Sequence, residues 1–313
     1  MVEDNQIKAQ VSPFAIREGE IKTFDGKDGY VSMNQIVHKI NIGHITDIHF
    51  EILDLVNEFE FITSRQLFQM LQIKGIDPKS QDKLNNKLDA LVKSKILTRY
   101  YFTSDEGKGI YRIYCLEKMG KYLLTSKEID CKWQPSDNTK PVPMIKKRLA
   151  GNQVLIAYLR KVKAFDSYIV KPAITAKAIG KTFKASGGCV KLTKNGKSIQ
   201  FLFEAVRREE DWQKKLVEKM RLYKDFYENF IPMDSGFQTM PQLIFICEDE
   251  KHAVETFKEI VKNNLEIEQI KLYFTTDLKQ NSNTLENTLM EFKLDPNTNK
   301  YKVENVELKL LGM

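Results

Sequence analysis

No apolar run in the chain approaches the ~20 residues that cross a bilayer, so no membrane span and no membrane partner is expected. Glycine and proline are few, 15 and 9 among 313 residues, which excludes collagen-like and low-complexity chains. Cysteine is scarcer still. Cys115, Cys131, Cys189 and Cys247 lie far apart with no Cys-x-x-Cys pair. They read as reduced thiols, not as a disulfide or zinc framework. Neither a Gly-x-Gly-x-x-Gly fingerprint, a Walker A loop nor a Gly-x-Ser-x-Gly elbow occurs. Ser186-Gly187-Gly188 is too short for a phosphate loop. His44 and His49 are five apart, a poor helical spacing for two ligands, and with His38 they lack a completing Cys or carboxylate cluster. No metal or other cofactor is expected. Met1 to Gln10 carry no basic stretch followed by an apolar core, so a cytoplasmic protein is expected.

What is present suits a globular chain of about two domains. The composition is 42% hydrophobic and 29% charged, with a net charge of +7. The charge is unevenly placed. Residues 131–224 carry 22 basic and 7 acidic groups, whereas residues 225–313 carry 9 and 16. A local excess of +15 points to a polyanion, because neutralised phosphates release counterions. A lysine-rich solvated surface offset by the acidic tail is the plain alternative.

Residues 1–45 are mixed and read as an N-terminal arm or dimer contact. Ile21–Phe24 and Tyr30–Met33 look like short strands about a Gly-containing turn. From residue 46 to 124 the pattern is clearer. Thr46 caps a helix with Ile48, Ile52, Leu55, Val56 and Phe59 at helical spacing. Thr63-Ser64 opens a second helix, and Ser80 a third with Leu84, Leu88, Leu91 and Val92 inward. Two strand-like runs, 95–102 and 110–116, flank a polar loop. Three helices followed by a β-hairpin is the order of a winged helix-turn-helix domain. The third helix would enter the major groove and the wing would touch the backbone. Its polar face offers Lys79, Ser80, Gln81, Lys83, Asn85, Asn86 and Lys87, and the wing offers Arg99, Lys108 and Arg112. Asn and Gln can read adenine edges, and Lys reaches phosphate or guanine.

Pro135, Pro141 and Pro143 mark residues 125–143 as a linker. A second domain over 144–280 begins with a helix to about Val162. Residues 171–187 lack a pattern and read as a loop or crossover. Asn195-Gly196 is a strong hairpin turn between strands at 189–193 and 199–206. Helices at 211–230 and 251–263 alternate with strands at 242–247 and 269–275, which implies an α/β domain with a mixed central sheet. Trp212, Leu216, Met220, Tyr223 and Tyr227 are spaced as a core stripe, although aromatic stacking on single-stranded bases is the other use of such residues. Residues 281–313 read as a C-terminal extension. The expected class is α+β.

The hairpin, with Glu204 at the end of its second strand and a helix soon after, resembles the core of the PD-(D/E)xK nuclease fold. The full arrangement resembles the replication-relaxation family of plasmids and mobile elements over about residues 46–275. The resemblance rests on Thr63 to Phe68, Leu84 to Leu97, Tyr114 to Gly120, Arg148 to Val154, and Phe203 to Arg208 followed by the Lys215–Tyr223 helix. It implies double-stranded DNA as partner, with other replication or transfer proteins, and a role in replication, transfer or transcriptional control. The nuclease pattern is incomplete. Gly188-Cys189 stands where an early acidic residue is wanted, and Val206 where Lys is wanted. Asp166, Glu209 and Glu210 are substitutes that spacing does not rank. Glu204 is therefore a vestigial candidate, and a nuclease-like domain without catalysis is expected. The alternatives are an active Mg²⁺-dependent nuclease and an adaptor whose winged helix grips protein. Winged-helix readers often pair on palindromes, which leaves a homodimer open.

Overall fold

Ser and Thr residues start most of the helices of the first half, because their hydroxyls satisfy amide groups that the first turn leaves unpaired. A computed structural model describes residues 12–105, 107–233, 236–281, 285, 287–295 and 300–306, with the backbone alone at 107–110, 294, 295 and 300. Strand β1 (Ile21–Phe24) is followed by helix α1 (Met33–Asn41), then α2 (Asp47–Phe59), β2 (Ile62–Thr63), α3 (Ser64–Ile73) and α4 (Gln81–Lys93). Strands β3 (Leu97–Ser104) and β4 (Gly107–Leu116) form the hairpin, and α5 (Lys118–Ser126) closes the unit. The sheet order is β1-β3-β4-β2.

The N-terminal segment differs from its expected form. Tyr30–Met33 is not a strand. Ser32 and Gln35 make a reciprocal capping box, with the Ser32 amide donating to Gln35 Oε1 at 2.9 Å, and this starts α1. Ile36 then turns into the core. Nor is the segment a detached arm. β1 pairs antiparallel with β3, Ile21 opposite Thr103 and Phe24 opposite Tyr100.

The expected linker is a packed corner. A 3₁₀ turn, Pro135–Thr139, buries Asn138, which donates to the Leu116 carbonyl at 2.8 Å and accepts from Trp133 Nε1 at 3.1 Å. Helix α6 (Val142–Lys161) follows. It is buried on nearly every side, from Ile145 through Tyr158, as a helix between two layers must be. One hydrophobic core runs from Ile52, Leu67 and Leu88 through Leu149, Leu155 and Tyr158 of α6 to Phe201, Phe203 and Ile246. Polar groups add to the seam: Asn152 donates to the Phe61 carbonyl at 2.7 Å, and Gln66 to the Leu149 carbonyl at 2.8 Å. The two halves share their core.

Next come β5 (Phe165–Ile169), β6 (Ala173–Ala176), β7 (Lys181–Lys184), β8 (Cys189–Lys194) and β9 (Lys197–Ala205). The supposed loop at 171–187 thus contains a two-stranded hairpin, β6-β7, whose inward residues Ile174, Ala176 and Phe183 pack on the second core cluster. Then follow α7 (Trp212–Glu228), β10 (Gln242–Cys247), α8 (Glu250–Lys262), β11 (Leu272–Thr276), α9 (Asp277–Gln280), β12 (Leu289–Asp295) and β13 (Lys300–Val306). The large sheet has the order β13-β12-β11-β10-β9-β8-β5. β9, β10 and β11 are parallel and the outer pairings antiparallel, so the sheet is mixed and the protein is α+β. The sheet does not end at residue 280: β12 and β13 extend it across the supposed C-terminal extension. Along β9, Phe201, Phe203 and Ala205 face α6, while Leu202 and Glu204 face α7.

Candidate nucleic-acid interface

The N-cap of α4 is Ser80, whose Oγ accepts from the Lys83 amide at 3.2 Å. Leu84, Leu88, Leu91 and Val92 anchor the helix, which leaves Asp82, Lys83 and Asn86 exposed. Lys79 is exposed just before the cap, and Lys87 is half-buried on the side of His49. Gln81 and Asn85 are one turn apart and joined by a 3.2 Å hydrogen bond. They line an open cleft of about 1,410 Å³ together with Arg65, Gln69, Arg112 and Arg160. The fold therefore adds Arg65 of α3 and Arg160 of α6 to the set read from sequence. No local signal marked them, because the cleft forms only when α6 packs beside α3.

The expected wing residues separate. Arg112 is 56% exposed, with Asp25 at 3.3 Å. Lys108 faces Thr103 through its backbone, and its side chain lies outside the described residues. Arg99 is not a free cation on a wing. It is 13% exposed, 2.8 Å from the Asp25 carboxylate, and hydrogen-bonded to Asp89 of α4. The reason is the pairing of β1 with β3, which brings the turn after β1 over Arg99.

Glu204 has a different setting from a metal ligand. Its oxygens accept from Tyr223 Oη at 2.6 Å, Ser186 Oγ at 2.8 Å and the Ser186 amide at 3.2 Å. Lys219 stands 3.5 Å away. Glycines hold the Ser186 segment in place: a Cβ on Gly187 would lie 2.7 Å from Phe203 Cβ, and one on Gly151 would lie 2.4 Å from the Gly187 Cα. Close packing of backbone, and not a phosphate loop, explains Ser186-Gly187-Gly188. Burial of Tyr223 and the carboxylate beside it both push the phenol well up, so it remains a donor to Glu204.

The substitute acids lie elsewhere or are occupied. Asp166 is bound by Lys191 at 3.0 Å and Thr193 at 3.1 Å, which hold its carboxyl below the usual range. Glu209 is bound by Lys147, and by Lys215 at 2.8 Å. Glu210 is exposed. Among the described residues, no three His, Cys, Asp or Glu side chains are grouped to hold a metal ion. The nuclease fold's Mg²⁺ would meet an acid already filled by hydroxyl and amide donors and flanked by a lysine, so these residues do not fit it.

Among the remaining candidates, His49 and the α7 stripe have structural roles. His49 is buried and accepts the Thr46 amide on Nδ1 at 3.1 Å, a capping role at the start of α2. His38 and His44 are exposed. Leu216, Met220, Tyr223 and Tyr227 are buried, as the core-stripe spacing of α7 predicts, and Trp212 is half-buried against His252. All four cysteines are free. No helix among the described residues is long and apolar enough to cross a membrane.

Comparison with known proteins adds one finding. The family model described as Replication-relaxation matches residues 53–239. No curated protein and no solved structure matches the chain. The matched stretch runs from within α2 through α4, the hairpin, α6 and the Glu204 strand to the approach to β10. It covers more than half of the 313 residues, and the chain belongs to the replication-relaxation family.

Proposed function

We propose that the protein binds double-stranded DNA through α4 and the β3-β4 hairpin, used as a winged helix, in plasmid or mobile-element replication, transfer or its control. Family membership supports the replication or transfer setting. The observation that carries the DNA reading is the arrangement of α4. Lys79 before its cap and Lys83 in its first turn stay in solvent, while Gln81 and Asn85 turn toward a cleft shared with Arg65, Arg112 and Arg160. Amide side chains for base edges beside cations for phosphate are the chemistry of groove readout. The second domain serves as a nuclease-like scaffold without cleavage, since Glu204 is held by Ser186 and Tyr223.

The test is fluorescence anisotropy of random-sequence duplex at about 50 and 200 mM salt, with wild type and Lys83→Ala/Arg112→Ala. Duplex affinity is expected to fall steeply with salt. The variant is expected to bind about tenfold more weakly, with a salt slope smaller by about two. Duplex binding that is undetectable at either salt would turn the reading toward the protein-gripping adaptor.

A further inference from the structure

A second cleft, of about 690 Å³, opens beside Glu204 between the first unit and the large sheet. Its charges do not cancel. Glu60 is shared by three cations: Lys140, Lys171 at 3.3 Å and Arg148 at 3.5 Å. Glu209 is shared by Lys147 and Lys215. Lys219 stands beside Glu204, and Asp137 is 2.9 Å from Lys140. Lys184 adds a further exposed cation on the rim. With Lys132 and Arg207, which pair with Asp130 and Asp277 outside the lining, nine cations line the cleft against four carboxylates. Burial raises the Glu60 carboxyl, but Lys171, Lys140 and Arg148 outweigh it and hold Glu60 below the usual range. Crowded cations of this kind, partly removed from water, lower their energy when an anion joins them.

Two further observations say what kind of anion. Arg148 is nearly buried and its Nε makes no hydrogen bond, being 3.5 Å from Glu60 and out of bonding geometry. A planar guanidinium suits phosphate oxygens, and Arg148 presents one in the cleft lining. Trp133 and Trp212, both half-buried, line the same cleft and supply flat faces of the kind on which bases stack. The volume lies within the ~300–1,000 Å³ range of small-ligand sites, so it admits a nucleotide or a strand end and not the width of a duplex.

We propose that this cleft is a metal-free site for a nucleotide phosphate, drawn either from single-stranded DNA or from a free nucleotide, and held by Arg148, Lys147, Lys171, Lys184 and Lys215. The site is separate from the α4 surface and stands independently of the duplex reading.

The experiment is anisotropy of fluorescein-labelled (dT)12 with the full chain, with thymidine monophosphate and inorganic phosphate as competitors. The variant is Lys184→Ala/Lys215→Ala. Both side chains reach solvent, and Lys184→Glu alone gives the same test should the pair unfold. The strand is expected to bind the wild type. The cleft variant should bind it about tenfold more weakly, with a salt slope smaller by about 1.4 for two lost phosphate contacts. Lys83→Ala/Arg112→Ala should retain strand binding. Displacement by thymidine monophosphate identifies a free nucleotide as a ligand, and displacement by unlabelled oligonucleotide alone identifies the strand; both support the site. Displacement by inorganic phosphate as effectively as by nucleotide would overturn it. So would strand binding that the cleft variant leaves unchanged, or no binding of either ligand at about 50 mM salt. Those failures would leave duplex binding through α4 standing, and loss of duplex binding alone would leave the cleft proposal standing.

Discussion

The Arg99 guanidinium lies 2.8 Å from the Asp25 carboxylate, and this contact ties the hairpin to the N-terminal segment. Asp89 of α4 takes a second side of the same guanidinium, and the Asp25 carbonyl accepts from its Nε at 3.1 Å. One arginine therefore fixes β1, α4 and β3 together.

Arg99 and Arg112 should consequently respond differently to truncation. Arg99→Ala removes a largely buried guanidinium, leaves Asp89 without this partner and leaves Asp25 with Arg112 alone, and should cost about 1–3 kcal/mol of stability. Its duplex affinity, measured on the folded fraction, should stay within about twofold of wild type. Arg112→Ala removes a side chain that is 56% exposed. Stability should change by less than about 0.5 kcal/mol, and the salt slope of duplex binding should fall by about one. Urea melts and salt-dependent anisotropy on both variants check this. A larger loss of affinity for Arg99→Ala than for Arg112→Ala would reverse the assignment.

Glu204 should matter for stability and not for cleavage. Glu204→Ala strands the buried Tyr223 hydroxyl and the Ser186 donors, at a cost of about 2–4 kcal/mol. Wild-type protein with Mg²⁺ should leave supercoiled plasmid intact. Nicking by the wild type that disappears in the stably folded Glu204→Gln variant would establish a nuclease instead.

The pH dependence should carry a histidine signature. His252 is buried at the start of α8, accepts the Glu248 amide on Nδ1 at 3.3 Å, and has no partner for Nε2. Burial, then Arg208 and Arg207, push its imidazole down to about 3, against a smaller upward pull from Asp249. The native state thus keeps His252 neutral, whereas the unfolded chain takes up a proton below about pH 6.5. This contribution is complete above that pH and is lost as pH falls from about 6.5 toward 3. By pH 5 the loss is about 2 kcal/mol. Urea melts of wild type and His252→Gln at pH 8, 6 and 5 isolate it by difference. A wild-type minus variant difference that stays flat over this range would show that His252 takes up its proton as readily in the native state as in the unfolded chain.

The legible parts of the fold are those with strong local grammar. Apolar spacing and hydroxyl caps mark α2, α3 and α4. Asn195-Gly196 marks the β8-β9 turn, and both residues adopt the positive φ such a turn needs, 51° and 75°. Continuous apolar runs mark β10 and its neighbours. Five elements, α1, β6, β7, β12 and β13, are less legible. α1 is short and follows a turn, so its Ser32–Gln35 cap was masked by apparent alternation. β6-β7 is lysine-rich because its outer face meets water. β12 and β13 add to the sheet edge by the antiparallel pairing of Leu289–Asp295 with Lys300–Val306.

The helix–hairpin order, the mixed α/β second half, the basic character of residues 131–224 and the family resemblance, which the matched region bears out, are all readable along the chain. Packing of distant elements settled where the charges go. Arg99 meets Asp25 across 74 residues, and Lys146 meets Glu20 at 2.7 Å across 126. It also decided that Arg65 and Arg160 join the cleft beside α4, and that Glu204 is enclosed by Ser186, Tyr223 and Lys219. Periodicity and capping act over one to four residues and so can be read along the chain. Ion pairing acts through space, and its partners exist only once distant strands have found their register.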